Sequence, residues 1–233
     1  MTAKQRAHGV ALVVVLLFLV AITGISVWTA RQSMLAEGMA RNQMDQEAAK
    51  QAAESALRDA ERDIDTASLG AKMDKALCQR YASPTNTNGL NPNDFNADCK
   101  QGLCFMADAD YAKSDWKTAG NAEPWWPKSK GGKWNDGPNA KPDSANLARC
   151  SSFTGGVPLG TYTGVPPIPG VAKQPEYLIE VFRRKQIRMN FEETRVTSTN
   201  EKANQWSTMY RVTARGFGYS QRTQVVLQAV FFP

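Results

Sequence analysis

Histidine is almost absent from this chain of 233 residues, since its one histidine is His8, close to the N-terminus. The chain also lacks a G-x-S-x-G motif, a P-loop and any paired motif in which a base could activate a nucleophile. Histidine is the side chain that most often carries general acid–base catalysis. The sequence therefore predicts that the protein is not an enzyme and has no catalytic residues.

Metal-binding patterns are scarce as well. The four cysteines include no C-x-x-C pair, which disfavours a zinc site. The spacing of Asp94, Asn96 and Asp98 is typical of calcium ligands, but an EF-hand loop needs glycine where Cys99 stands and glutamate where Phe105 stands. We interpret this segment as turns formed by Asx side chains and expect no metal and no cofactor, with calcium as the open alternative.

Charge is missing from residues 10–30, VALVVVLLFLVAITGISVWTA. As a helix this run would span roughly 30 Å, the thickness of the bilayer hydrocarbon core. Lys4 and Arg6 precede it, so the positive-inside rule predicts a cytoplasmic N-terminus and an exported remainder. The run is long, and Trp28 disrupts an A-x-A cleavage pattern. We therefore interpret it as a single-pass membrane anchor.

Proline is absent between Val10 and Ile64, which allows one continuous helix through both segments. After Arg31 a period of 3.6 residues places a narrow, alanine-rich stripe on one helix face. Its members are Leu35, Met39, Ala49, Ala53, Ala56, Leu57, Ala60 and Ile64. Because alanine permits close packing, we expect this stripe to contact a sheet or a loop of the head.

All four cysteines follow the apolar run, and an even number of cysteines in an exported segment indicates disulfides. We expect two disulfides and an oxidising compartment such as the bacterial periplasm. Three pairings of Cys78, Cys99, Cys104 and Cys150 are open. The short, glycine-containing loop between Cys99 and Cys104 favours that pair, which leaves Cys78 for Cys150.

Residues 82–175 show neither helical nor strand periodicity and are rich in Asn, Gly, Pro, Ser and Trp. We expect a long loop region stapled by the disulfides. It contains Trp116, Trp125, Trp126 and Trp134. These rings could form a binding surface for a partner, but we favour a role in the core, because large aromatics bury readily where regular structure is sparse.

Three segments near the C-terminus predict strands of an antiparallel sheet: YLIEVFRR, STMYRVTAR and TQVVLQAVFF. In the second, Tyr210, Val212 and Ala214 share one face, which we expect to lie against the helix. The basic cluster Arg183, Arg184, Lys185 and Arg188 is not interleaved with aromatic residues. We therefore interpret it as a solvated edge and expect no nucleic-acid partner.

Several segments resemble one known family. The basic leader that ends in Gly9 against the apolar run resembles a type IV prepilin. The sequences QAAESALRDAERDI (51–64), CKQGLC (99–104), YRVTARGFG (210–218) and TQVVLQAVF (223–231) resemble the corresponding segments of PilX-type minor pilins. This resemblance implies that a prepilin peptidase cleaves after Gly9, so that the mature chain starts at Val10 with a methylated amine.

The resemblance and the patterns together predict a type IV pilin-like α+β fold. A long N-terminal helix packs on a small antiparallel sheet, and a long disulfide-stapled loop region completes the head. The expected domains are a cytoplasmic leader (1–9), a transmembrane half-helix (10–30), an amphipathic half-helix (31–66) and an exported head (67–233) whose sheet lies in 176–233.

Most type IV pilins carry glutamate as the fifth mature residue, whereas Val14 stands there in this chain. The resemblance then implies a minor pilin that primes pilus assembly at or near the tip. Its expected partners are the other minor pilins, the major pilin, a tip adhesin of the PilY type, the prepilin peptidase and the membrane. The expected location is the bacterial inner membrane with a periplasmic head, then the pilus at the cell surface. The alternatives are a type II secretion pseudopilin of the GspK type and a membrane-tethered binding module.

Overall fold

The computed structural model describes residues 8–67, 73–80, 90–116, 122–136, 147–185 and 206–232. The chain forms two compact units, Met1–Asp45 and Gln46–Pro233. The helices and strands in chain order are α1 (His8–Ala67), β1 (Leu103–Cys104), α2 (Asp108–Tyr111), β2 (Val157–Pro158), β3 (Glu176–Lys185), β4 (Trp206–Phe217) and β5 (Gln224–Phe231).

One uninterrupted helix, α1, runs from His8 to Ala67, as the absence of proline predicted. Its C-terminal part buries a face made mostly of alanine: Ala49, Ala52, Ala53, Ala56, Ala60 and Ile64. The small side chains let backbone approach backbone, since a Cβ added to Gly216 of β4 would lie 2.1 Å from the carbonyl oxygen of Ala49. The prediction that the alanine stripe contacts the sheet is confirmed for this part of α1. Leu35 and Met39, in the other unit, are exposed.

The sheet is built around an antiparallel meander of β3, β4 and β5. Tyr177 of β3 lies opposite Ala214 of β4, and Tyr210 of β4 lies opposite Phe231 of β5. Tyr210, Val212 and Ala214 face the helix and are buried, as their alternation predicted.

The antiparallel sheet predicted within residues 176–233 is confirmed for β3, β4 and β5, but two short strands from the loop region extend it. The sheet is mixed, because β1 pairs in parallel with β3, and β2 adds an antiparallel pair to β3 from the loop region. The backbone N–H of Ile179 donates to the carbonyl of Gly102 at 2.9 Å, next to β1. Each added strand has only two residues, too few to show the period-two alternation that identifies a strand.

The main core lies between α1 and the sheet. Tyr177, Ile179, Tyr210 and Val212 pack there with the alanine face of the helix. The loop region contributes further rings, and that of Phe95 stacks on Tyr210 with centroids 5.8 Å apart. The aromatic side chains of the loop region therefore supply core volume that its two short strands do not.

A second, smaller core covers the opposite face of β3 and β4. It contains Leu178, Trp134, Cys99 and Cys104. The alternation of β4 predicted one face against the helix, but Thr213 on the other face is fully buried as well. By contrast, residues of β5 alternate between exposed and half-buried.

Candidate assembly site

The apolar half of α1 is exposed throughout residues 11–30. Its most apolar stretch reaches a mean hydropathy of 2.7, and none of that stretch is buried within the protein. Leu16, Phe18 and Trp28 are each more than half exposed. By length and composition this helix can cross a membrane, and it is therefore compatible with membrane anchoring.

The hydroxyl groups in this segment are satisfied within the helix. Ser26 and Thr29 donate to the carbonyls of Ile22 and Ile25 at 2.8 Å, and Thr23 donates to Val20 at 2.9 Å. A polar group without a partner is costly in hydrocarbon. These internal hydrogen bonds remove that cost for three of the polar side chains in the apolar run.

The predicted processing residues Gly9 and Val10 lie in the first turns of α1, and residues 1–7 are outside the described residues. Val14 follows Val10 by four residues, about one turn of α1. The Val14 side chain is 44% exposed among other apolar residues. The chain thus presents a hydrocarbon side chain where the family pattern has a carboxylate.

Two buried aspartates, Asp59 and Asp63, anchor the other half of α1 to the head. Asp63 accepts hydrogen bonds from Arg80 Nε at 2.9 Å, from Arg80 Nη2 at 2.7 Å and from the Tyr177 hydroxyl at 2.8 Å. Burial alone would lower the pKa of the Arg80 guanidinium, but the charge of Asp63 outweighs burial and raises it. Burial, reinforced by Asp63, raises the pKa of Tyr177. The Arg80 guanidinium therefore stays charged, and Tyr177 stays a neutral donor.

Asp59 lies one turn before Asp63 and holds a different loop. It accepts the backbone N–H of Gly160 at 2.7 Å and the hydroxyl of Thr163. Burial raises the pKa of Asp59, although both hydrogen bonds oppose this shift. The helix thus binds Arg80 and residues 160–163 through polar contacts in addition to its alanine face.

Two ion pairs cross β3 and β4 on the face away from α1. Glu176 lies opposite Arg215, and Glu180 lies opposite Arg211. Arg211 donates twice to the Glu180 carboxylate at 2.8 Å, while Arg215 donates from Nε to Glu176 at 3.1 Å. Burial raises the pKa of Glu180, and the hydrogen bonds from Arg211 oppose this shift. Such directly opposed charges fix the register of the strand pair.

Residues 122–136 cover these ion pairs. The Arg215 guanidinium lies 4.7 Å from the ring centroid of Trp134, whose indole N–H donates to the carbonyl of Trp125 at 2.9 Å. Trp126 and Trp134 are buried, as the core role predicted, but Trp116 is 48% exposed and meets Trp126 edge-on. Trp134 and Trp125 therefore pack on the sheet, while Trp116 contacts Trp126 and remains half exposed.

The structure joins Cys78 to Cys150 and Cys99 to Cys104, which is the pairing that the short Gly-containing loop favoured. The Cα atoms are 5.5 Å and 4.2 Å apart, respectively. The first bond connects the segment after α1 to Cys150 within the loop region, and the second closes the loop that carries β1. Both disulfides thus lie in the part of the chain with little regular structure.

The Asp94–Asp98 segment forms Asx turns. The Asn96 amide oxygen accepts the backbone N–H groups of Asp98 and Lys100, both at 3.1 Å. The side chain of Asn91 caps the short 3-10 helix Pro92–Asp94. Across the described residues, no three His, Cys, Asp or Glu side chains group so that they could hold a metal ion.

Sequence reasoning missed the buried polar contacts. Asp59 and Asp63 interrupt the apolar face of α1 at a spacing of four, which is a usable signal for a shared buried face. Their partners could not be identified, because Tyr177 is 114 residues from Asp63. The side chains of the basic cluster, Arg183, Arg184, Lys185 and Arg188, lie outside the part of the chain that the structure describes, so the prediction of a solvated edge stays a prediction.

Comparison with family models gives two matches. Residues 8–58 match the model described as PilX N-terminal, and residues 79–233 match the model described as type IV pilus assembly protein PilX C-term. No curated protein and no solved structure matches the chain. The two family matches together cover most of the helix, three of the four cysteines and the sheet. The chain therefore belongs to the PilX family of type IV pilus assembly proteins, and this membership supports its assignment as a type IV pilus minor pilin.

Proposed function

We propose that this minor pilin primes type IV pilus assembly and occupies a position at or near the pilus tip, where it helps to display a tip adhesin of the PilY type. The observation that carries the proposal is Val14, an exposed apolar side chain at the fifth position after Gly9. Residues 11–30 contain no aspartate or glutamate that could supply the missing carboxylate.

The physical reason is the cost of an ionised carboxylate in lipid. In the resembled family, the fifth-residue glutamate of an incoming subunit pairs with the terminal amine of the subunit already placed above it. A subunit with Val14 cannot offer that carboxylate, but its own amine on Val10 can still receive one from the next subunit below. Because the subunit can receive a carboxylate but cannot offer one, it is suited to being the first subunit placed, with the others added below it.

The proposal includes a processing step and a topology. A prepilin peptidase cleaves between Gly9 and Val10, the new amine is methylated, and the anchor crosses the inner membrane once with the head in the periplasm. The partners are then the other minor pilins and the major pilin, and the subunit moves to the cell surface with the pilus. The apolar, exposed character of residues 11–30 supports this arrangement.

Immunogold labelling of pili tests the position. The wild-type protein is expected at fibre ends, whereas Val14→Glu should also appear along the shaft because it can dock beneath other subunits. Val14→Leu is the apolar control, and Val15→Glu places the same carboxylate at a neighbouring, misaligned position. Both controls should keep the label at fibre ends. Even labelling of shafts by the wild type would contradict the tip position.

Two further measurements separate the alternatives. Deleting the gene in cells without another initiation system should abolish fibre formation, and normal fibres would refute the priming role. Mass spectrometry of assembled protein should find a methylated N-terminal Val10. Retention of Met1 would instead favour a membrane-tethered binding module, which has no use for the cleavage.

A further inference from the structure

Strand β5 forms an edge of the sheet whose only strand partner within the described residues is β4. An edge strand exposes backbone N–H and C=O groups, and proteins usually protect it with charged side chains, proline or a bulge. The sequence of β5, QVVLQAVF, contains no charged residue and no proline. As far as the described part of the chain shows, this edge is therefore open to pairing with another strand.

One face of β5 is also apolar and uncovered. Val226 and Val230 are 43% and 53% exposed, and Phe232, directly after the strand, is 54% exposed. The register places Val226 beside Arg215 and Val230 beside Arg211, on the face that residues 122–136 bury over β3 and β4. The cover ends at β4, so this strip of β5 is left in solvent.

The other face of β5 borders a groove against α1. The groove is lined by Gln46, Glu47, Lys50, Arg222, Thr223, Gln224, Val225 and Leu227. Lys50 and Arg222 are exposed, and neither forms an ion pair with a carboxylate of the described residues. Glu47 offsets one of these two positive charges, which leaves the groove net positive.

We propose that β5 pairs with an extended segment of another protein in which apolar and acidic side chains alternate. In such strand addition, backbone hydrogen bonds supply affinity and alternate side chains supply specificity. Apolar side chains of the added strand lie beside Val226 and Val230, while its acidic side chains lie on the groove side near Lys50 and Arg222. The eight residues of β5 offer an edge of about 26 Å.

The charge pattern selects another protein over a second copy of this chain. The β5 strand contains no acidic residue, so a second β5 has nothing to pair with Lys50 and Arg222. An added strand with carboxylates at alternate positions satisfies both the open edge and the groove. This inference is independent of where the subunit sits in the pilus.

Fluorescence anisotropy with the full-length protein in detergent micelles tests the proposal. The probes are two labelled synthetic octapeptides, one alternating valine with glutamate and one alternating valine with lysine. The glutamate peptide is expected to bind at least tenfold more tightly. The double variant Lys50→Glu with Arg222→Glu should reverse that preference, because it inverts the charge of the groove while leaving β5 unchanged.

Edge substitutions provide the second arm. Val226→Lys with Val230→Lys should weaken binding of the glutamate peptide at least tenfold, whereas Ala172→Lys, at an exposed residue outside β5, should leave it unchanged. Hydrogen exchange should show new protection of the β5 amides when the peptide binds. A correct fold of each variant is checked by near-UV circular dichroism, which reports the packed aromatic rings.

Three results would overturn the proposal. Equal affinity for the two peptides would show that Lys50 and Arg222 do not select acidic side chains. Unchanged binding by the Val226→Lys, Val230→Lys variant would show that the peptide binds away from β5. Analytical ultracentrifugation could instead show that the wild type is a dimer. If the Val226→Lys, Val230→Lys variant abolishes this dimer and the glutamate peptide does not dissociate it, the strand that pairs with β5 belongs to a second copy of this chain.

Discussion

Asp63 of α1 and Arg80, seventeen positions later, form a buried pair in which both guanidinium Nε and Nη2 donate to one carboxylate. Their side chains are only 1% and 5% exposed. The pair connects the helix to the segment that carries Cys78 and thereby to the start of the loop region. The attachment of the loop region to α1 thus depends on a charge pair as well as on apolar packing.

Replacing Arg80 with alanine should lower the free energy of unfolding of the head by about 3–5 kcal/mol, because Asp63 would remain buried with Tyr177 as its only described hydrogen-bond donor. Denaturant unfolding followed by tryptophan fluorescence measures this change. Lys113→Ala breaks an exposed pair with Asp110 and should cost only about 0–1 kcal/mol. Equal losses for both variants would contradict a special role for the buried pair.

The buried Asp59 carboxyl should make stability depend on pH in an unusual direction. Burial is the main cause that raises the folded-state pKa of Asp59 above its ordinary value of 3.8, so the folded state binds a proton more readily than the unfolded state. The contribution of Asp59 is therefore greatest below pH 3.8 and declines as the pH rises to its folded-state pKa. The expected difference in unfolding free energy, wild type minus Asp59→Asn, falls over this interval and then becomes constant.

Urea unfolding of both proteins at pH values from about 3.5 to 7 measures this difference. Taking the difference cancels the titration of groups that the substitution does not affect. Asp94→Asn, at an exposed aspartate, controls for the loss of one surface carboxylate. A difference that grows as the pH rises would mean that the hydrogen bonds from Gly160 and Thr163 outweigh burial.

Gly216 of β4 should tolerate no side chain. An added Cβ would lie 2.1 Å from the Ala49 carbonyl oxygen and 2.3 Å from the Ala53 backbone nitrogen, so helix and sheet would have to separate. We expect Gly216→Ala to destabilise the head by about 1–3 kcal/mol, as overpacking does. Gly38→Ala, where no atom lies within 4 Å of the added Cβ, is the control and should not lower the melting temperature.

The two disulfides should differ in their contribution to stability. Chain-entropy arguments give roughly 4 kcal/mol for Cys78–Cys150, with a separation of 72 residues, and roughly 2 kcal/mol for Cys99–Cys104, with a separation of 5. Denaturant unfolding of two double variants measures the contribution of each disulfide to the free energy of unfolding. One variant carries Cys78→Ala with Cys150→Ala, and the other carries Cys99→Ala with Cys104→Ala. A larger loss from the shorter loop would indicate that the parallel pairing of β1, rather than chain entropy, depends on that bond.

The long elements could be predicted from the sequence because each one repeats its own period many times. The alanine face of α1 and the inward residues Tyr210, Val212 and Ala214 are examples. The two-residue strands β1 and β2 repeat no period, so the mixed character of the sheet was not predicted. The partners of Asp59 depend on contacts across about a hundred residues, which no local pattern encodes.

Some parts of the candidate site could likewise be predicted from local sequence, and others could not. The apolar run, Gly9 and Val14 are local features that can be identified directly from residue type and order. The ion pairs of β3 and β4 required the register of the two strands, because Glu180 faces Arg211 only when Tyr177 faces Ala214. The exposed strip on β5 could not be predicted from the sequence, because it depends on residues 122–136 covering β3 and β4 but not β5.

The Cys78–Cys150 bond also determines what a protease can release from the head. A single peptide bond cut anywhere between these two residues leaves the pieces on either side covalently joined through sulfur. The N-terminal piece keeps α1, and the C-terminal piece keeps β3, β4 and β5, which pack on the helix face. A head cut once between Cys78 and Cys150 therefore remains attached to its membrane-compatible helix, and the cut shows on a gel only after reduction.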